Sequence, residues 1–544
     1  MIRQTILHRP LPLRFTAQRQ LSSKPRRPPP NNLRRYVIYP TAILTTGLGG
    51  VYLLDKYYYS SVIARSTRAI YVLLWIAYEY GFNSLSYTNI DDLHEVASDK
   101  LLHLLVTNKG IFIKLGQAIA NQGKLFPDAY QRKFPMLYDQ APVQPWSSVD
   151  GMLKRSLGDD YEMRVFETIN HEPIASASVA QVHYARLKSG EEVAVKVQHE
   201  YISRQLPVDL WVYRFISRVY ERVFDIPLGM FTKYISEKIT EETNFRHEMQ
   251  NSDRLQALIG ADATIDDSIY IPKNFAEFTT LQVLTAEWID GVPLTHKDVL
   301  LDKGFDLAEI MRKYIKLFGA QIFKYGFIHS DPHPGNLLVR LDSRGRQQLV
   351  LLDHGLYIEL PELFRIEYCN LWRYLFLLDT PGIEEIGKKW GISSLDLFAT
   401  VVQLRPVLLS PEQSDQPDSR NVSDLFRDFI GDKKKFPADL PFLARTMRMI
   451  QNLNQSFGSP VNRINLLTKE LVNALLQERH ISFGDYWSLL KIKVVLVFSD
   501  LMFYFVRIRQ YFIGDRYGGK GKGLEDYIEM YMQNTAKSLG MEWI

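Results

Sequence analysis

The sequence predicts an α+β fold, and three stretches carry that expectation. Glu192-Val193-Ala194-Val195-Lys196-Val197-Gln198 alternates β-branched residues as a strand does. Leu337-Leu338-Val339 and Leu349-Val350-Leu351-Leu352 flank the polar turn Asp342-Ser343-Arg344-Gly345, which reads as a hairpin. Helix-permissive segments surround them: Thr232–Leu258, Leu440–Gly458 and Val461–Gln477.

The hairpin draws Asn336, at its start, toward Asp353, at its end. Upstream runs Gly326-Phe327-Ile328-His329-Ser330-Asp331-Pro332-His333-Pro334-Gly335-Asn336, and Asp353-His354-Gly355 follows the second strand. His-x-Asp-x-x-x-x-Asn is the spacing of a kinase catalytic loop, and Asp353-His354-Gly355 stands where Asp-Phe-Gly would. Phosphoryl transfer needs a carboxylate at the attacking group and hard oxygen ligands for Mg²⁺. Asp331 is the candidate for the first task, and Asn336 and Asp353 for the second. Lys196, on its strand, is the candidate for the nucleotide phosphates. Its anionic partner is expected among Glu237, Glu241, Glu242 and Glu248.

A glycine-rich phosphate loop is missing. Its place holds Ile174-Ala175-Ser176-Ala177-Ser178-Val179-Ala180-Gln181, where side chains restrict positive φ and predict a stiffer turn. Beyond Gly355 there is no long activation segment and no Ala-Pro-Glu, so no peptide platform is encoded. ATP hydrolysis, or transfer to a small or lipid-like acceptor, therefore ranks above protein phosphorylation.

These motifs resemble the UbiB family of atypical kinases, the aarF-domain-containing kinases, over about residues 90–480. The string His329–Asn336 with Asp353 matches in full, as does Lys-x-Gly-Gln at Lys114-Leu115-Gly116-Gln117. The alanine-rich loop, Ala175-Ser176-Ala177-Ser178, departs at Ser176, and Glu-x-Asp appears as Glu242-Thr243-Asn244. The resemblance implies ATP and Mg²⁺ as ligands and Glu248 as the partner of Lys196. It implies a hinge strand, Val283–Gly291 with Glu287, beside adenine. It also implies a capping helix on which Lys114 and Gln117 meet Glu242 and Asn244, a contact weakened by the lost negative charge at residue 244.

The chain has 544 residues, 46% hydrophobic and 23% charged, with a formal net charge of +4, which suits a folded protein of several segments. Its single cysteine, Cys369, excludes an internal disulfide or a cysteine metal cluster. Residues 1–54 hold no Asp or Glu but many arginines, which reads as a mitochondrial presequence (1–35). A disordered basic arm for nucleic acid is the lower-ranked alternative, with Phe15 the one aromatic among residues 1–35, and no nucleic-acid partner is expected. Tyr36–Leu54 is uncharged, tyrosine-flanked and long enough to be expected as a transmembrane helix of the inner membrane (36–54). Arg34-Arg35 on the matrix side would leave the domain facing the intermembrane space.

The remaining expected segments are a helical extension (55–165), an N-lobe (166–292), a C-lobe (293–490) and a helical tail (491–544). Ile70–Tyr78 is too short to span. Val494–Val506, interrupted by Asp500, reads as a buried helix or as a contact with membrane or quinone. A polar loop at Pro411–Asp418 and a glycine hinge at Gly518–Gly523 complete the reading. The resemblance implies an atypical kinase or ATPase serving coenzyme Q distribution, lipid homeostasis and mitochondrial morphology. Its implied partners are inner-membrane lipids, coenzyme Q or its precursors, and other proteins. The rival readings are a catalytically weak nucleotide-binding regulator and, behind it, a protein kinase.

Overall fold

The computed structural model describes residues 39–87, 89–120, 127–138, 143–224, 229–265, 268–377, 379–392, 435–478 and 483–513. The expected presequence, the Pro411–Asp418 loop and the Gly518–Gly523 hinge lie outside them. The chain divides into two compact units, Met1–Ser61 and Val62–Ile544.

The first unit holds helix α1 (Tyr39–Tyr57), over most of the expected span. Among the described residues no helix is long and apolar enough to cross a membrane, and the start of the expected span, residues 36–38, lies outside them. Thr41, Thr45, Thr46, Gly47, Gly49 and Gly50 dilute its hydropathy, and Asp55 and Lys56 end it with charge.

The second unit opens with α2 (Val62–Phe82), α3 (Ile90–Asn108), α4 (Ile111–Ala120) and α5 (Asp128–Lys133). Asn89 caps α3 by accepting from the Asp91 amide at 3.1 Å. These helices bury Ala69, Leu104, Leu105, Ile111, Phe112 and Phe134 in one cluster.

After α6 (Trp146–Leu157) and α7 (Tyr161–Arg164) come the strands of the N-lobe: β1 (Phe166–Ile169), β2 (Ala175–Ser176), β3 (Ala180–Leu187) and β4 (Glu192–Gln198). Period-two alternation sorts β4. Val193, Val195 and Val197 are 0%, 0% and 1% exposed against Leu153, Tyr161 and Phe166, and Lys196 faces the other way. Each buried valine contributes about 1.5–3 kcal/mol.

Three helices follow: α8 (Ile202–Phe224), α9 (Gly229–Glu242) and α10 (Phe245–Ala261). A buried Arg65–Asp209 pair at 2.6 Å ties α8 to α2. The single helix expected over Thr232–Leu258 is broken at Thr243–Asn244, because the Asn244 side chain accepts from the Arg246 amide and starts α10.

Then come β5 (Ile269–Tyr270), β6 (Val283–Glu287) and β7 (Val292–Pro293). The N-lobe sheet is antiparallel in the order β1-β3-β4-β6, with β2 on β3, and Lys196 stands opposite Val182 and Leu284.

The C-lobe is built from α11 (Lys297–Asp302), α12 (Leu307–Gly319), a π-helical turn Ala320–Tyr325, β8 (Phe327–His329), β9 (Leu337–Leu341), β10 (Gln347–Leu351) and β11 (Tyr357–Glu359). The helices α13 (Glu362–Leu377), α14 (Thr380–Lys389), α15 (Leu440–Ser456), α16 (Arg463–Leu476) and α17 (Phe483–Ile513) complete it. The predicted hairpin is β9–β10, and β8 pairs with β11. Met311, Tyr314, Ile315 and Phe318 of α12 are wholly buried at its centre. One face of α17 is buried through Leu489, Ile492, Leu496 and Phe503, while Val494, Phe498, Leu501 and Phe505 are exposed. The interrupting Asp500 is bound by Lys469 at 2.6 Å and by Asn465 at 2.7 Å, both from α16.

Candidate active site

Lys196 leaves β4 toward α10, where its ammonium meets Glu248 at 2.7 and 2.9 Å and lies 3.6 Å from Asp353. Burial works against this ammonium, but Asp353 and Glu248 outweigh it and hold its pKa above the usual lysine range. Burial pushes the Glu248 carboxyl up to about 7 against the pull of Lys196. For Asp353, burial is outweighed by Lys196 and Lys114, so it stays anionic well below the usual carboxylate range.

Asp353 closes the β9–β10 hairpin. Its Oδ1 accepts from the Gly355 amide at 3.0 Å, and its Oδ2 lies 3.4 Å from the Asn336 amide nitrogen. Gly355 is pressed close: a Cβ there would lie 3.2 Å from both Asp353 Oδ1 and Glu242 Cγ. Beneath, the buried histidines act as spacers. The Asp331 amide donates to His329 Nδ1 at 3.1 Å, which leaves Nε2 to donate to the Asp353 carbonyl at 2.6 Å. The π-helical turn aims Gln321 so that its side chain accepts from the His329 amide at 2.8 Å. His354 is pushed down to about 3 by burial, and it sits between the Tyr357 hydroxyl at 2.9 Å and the Leu351 carbonyl at 3.2 Å. Asn251 of α10 holds the His354 carbonyl at 3.1 Å.

The capping helix is where the Lys-x-Gly-Gln pattern put it. Lys114, on α4, makes an ion pair with Glu242 at the end of α9. Despite that partner, burial pulls Lys114 below the usual lysine range, with Asp353 and Asp331 offsetting part of the cost. Gly116 permits close packing, since a Cβ would fall 2.2 Å from Leu137 Cδ1 and 2.7 Å from Leu105 Cδ1. Gln117 donates to the Leu137 carbonyl at 3.1 Å, and Asn244 caps α10.

In the glycine-free turn, Ala175 and Ser176 form β2, the Ala177 amide donates to the Ala180 carbonyl at 2.8 Å, and Ser178 is buried. His199 braces the turn, its Nε2 meeting the Ala177 carbonyl at 3.0 Å. On the hinge strand, Glu287 turns its carboxylate to the Tyr270 hydroxyl at 2.6 Å and the Lys273 amide at 3.1 Å, so that side chain is structural. A small cavity beside the strand is lined by Glu248, Ser252, Leu284, Ala286, Leu352 and His354.

Residue spacing gave no sign of Arg445. From α15 it donates to Asp331 Oδ1 at 2.9 Å. The only trace in the sequence is a pair of arginines, Arg445 and Arg448, on a helix whose neighbours Leu443, Met447 and Ile450 are core.

Among the described residues no cluster of three or more His, Cys, Asp or Glu could hold a metal by itself. Asn336 and Asp353 are nevertheless a fitting pair for Mg²⁺, which binds through one or two protein oxygens and fills its shell with phosphates and water. Against known proteins, a family model described as the ABC1 atypical kinase-like domain matches residues 136–387. The ABC1 family protein lscO of Purpureocillium lilacinum is 34% identical over 527 residues, covering 88% of each chain. An ABC1 family protein of Schizosaccharomyces pombe is 35% identical over 457 residues, covering 81% of this chain and 84% of its own. The AarF domain-containing protein kinase 1 of Xenopus laevis is 28% identical over 475 residues, covering 82% and 90%. With a kinase-like core and relatives matched over most of their length, this chain belongs to the ABC1 family of atypical kinase-like proteins, the UbiB and aarF-domain group.

Proposed function

We propose that the chain binds ATP with Mg²⁺ between its lobes and transfers the terminal phosphoryl group to water or to a small or lipid-like acceptor. The observation that carries this is the Lys196 ammonium, 2.7 Å from Glu248 and 3.6 Å from Asp353, with Asn336 beside that same aspartate. Lys196 holds the inner phosphates, the glycine-free turn covers them, and the Asp331 carboxylate takes the proton of the attacking hydroxyl. Bound Mg²⁺ supplies neutralisation of phosphate charge. Hard by the site, the chain passes from Gly355 to β11 at Tyr357 and to α13 at Glu362, which leaves no platform for a peptide. The test is ATP hydrolysis by the purified chain with lipid present, beside an Asp331→Ala variant. Turnover that survives Asp331→Ala unchanged sinks the proposal.

A second reading, a weakly catalytic nucleotide-dependent regulator, draws on the Lys114–Glu242 pair that closes over the site. Inert wild-type protein that still binds nucleotide and still rescues function would favour it. The proposed address is the mitochondrial inner membrane, with a role in coenzyme Q distribution and lipid homeostasis. It is supported by the acid-free, arginine-rich residues 1–35 and by the family. Lipid and quinone profiles of cells carrying Asp331→Ala, with fractionation of the protein, test it.

A further inference from the structure

The catalytic loop brings no cation of its own. Between Asp331 and Asn336 stand Pro332, His333, Pro334 and Gly335, and burial keeps the His333 ring below the usual histidine range. The cation in direct contact with Asp331 is instead Arg445, 114 positions away in sequence, at 2.9 Å, and the Lys114 ammonium also acts on that carboxylate. Its side chain is 15% exposed, and its Nε is buried with no hydrogen-bond partner among the described residues. Donors are therefore left over after Asp331 is served.

The helix that presents it is well anchored. Leu443, Thr446, Met447 and Ile450 of α15 are buried, and Phe442 packs on Tyr234 of α9 with ring centroids 4.7 Å apart. The Tyr234 hydroxyl also donates to Asp439, at the start of α15, at 2.9 Å. A guanidinium held in place this way needs little reorganisation to meet charge as it develops.

We infer that Arg445 is the cis-acting arginine of the transfer step, holding Asp331 with one nitrogen and offering its remaining donors to the phosphoryl group in transit. It presupposes the phosphoryl transfer proposed above. In that step the acceptor oxygen bonds to the γ-phosphorus as the bond to the β,γ-bridging oxygen breaks. The acceptor proton passes to Asp331, and ADP leaves with the bonding electrons. Negative charge spreads over the equatorial oxygens, where a guanidinium stabilises the transition state more than the ground state. Arg445 lies beyond residues 136–387, so the family match does not assign it.

The test uses the full chain with Arg445→Ala and Arg445→Lys. Affinity is measured for ADP with Mg²⁺, with and without aluminium fluoride as the mimic of the phosphoryl group in transit. For Arg445→Ala, ADP affinity is expected to stay within about twofold of wild type. The tightening by fluoride should fall by about 10²-fold or more, and kcat for ATP by about 10³-fold with KM little changed. Arg445→Lys keeps charge and bulk, guards against misfolding, and should recover part of the tightening. Wild-type tightening in both variants, or faster turnover in Arg445→Ala, overturns the assignment while leaving the proposed function intact. Wild-type chain that neither binds ADP with Mg²⁺ nor hydrolyses ATP overturns both.

Discussion

Two lysines reach the same site from different regions, and their settings differ. Lys196 comes from a strand fixed in register on both sides, and it sits between two carboxylates. Lys114 comes from the short capping helix α4, makes its ion pair with Glu242, and also feels the cations Lys196 and Arg445. Both are half-buried, yet one is held above the usual lysine range and the other below it. Compensation by anions separates them: the strand lysine is built in, whereas the capping lysine sits there at a cost. The strand region therefore reads as fixed machinery, and the capping region as a contact that can be given up.

The largest expected effect tests that difference directly. Lys196→Ala strands Glu248, whose side chain is only 3% exposed, and should cost about 3–5 kcal/mol. Lys114→Ala leaves Glu242, whose side chain is 18% exposed, and should cost about 1–3 kcal/mol. Equal losses in denaturant melts would break the comparison. Gly116→Ala should cost about 1–3 kcal/mol by forcing α4 away from Leu137 and Leu105, with ADP affinity little changed. An equal loss of nucleotide affinity would tie the capping helix to the fixed machinery.

Next comes the floor beneath both lysines. His354 titrates at about 3 in the fold against the ordinary 6.5, so it is neutral in the folded chain. The unfolded chain takes up its proton as pH drops, so the stability is whole above pH 6.5 and is lost as pH falls toward 3. The slope is about 1.4 kcal/mol per pH unit for this group. Denaturation at pH 7 and pH 5 should show a shallower loss for His354→Gln than for wild type. The smallest effect is expected of Asn244→Asp, since the two residues cap helices almost equally, within about 0.5 kcal/mol. A large rise in Mg²⁺-dependent turnover would show that residue 244 does more than cap α10.

What could be read in advance was local. Asp331, Asn336, Asp353 and Lys196 lie in short motifs whose spacing is set by one loop, one hairpin and one strand, and Asn336 and Lys196 both lie beside Asp353. Glu248 was reached through the resemblance, because a helical glutamate alone looks like any solvated one. The break between α9 and α10 escaped notice, since Asn244 acts through a backbone amide two residues on. Arg445 escaped because no spacing rule joins Asp331 to a helix 114 positions away.

The central claim is that Asp353 and Lys196 form a Mg²⁺-nucleotide site. Calorimetric titration of ADP, with and without Mg²⁺, into wild type and Asp353→Asn tests it most directly. The account predicts Mg²⁺-dependent binding to wild type that weakens by about tenfold or more in the variant. Binding that ignores Mg²⁺, or is equal in the two proteins, would contradict it.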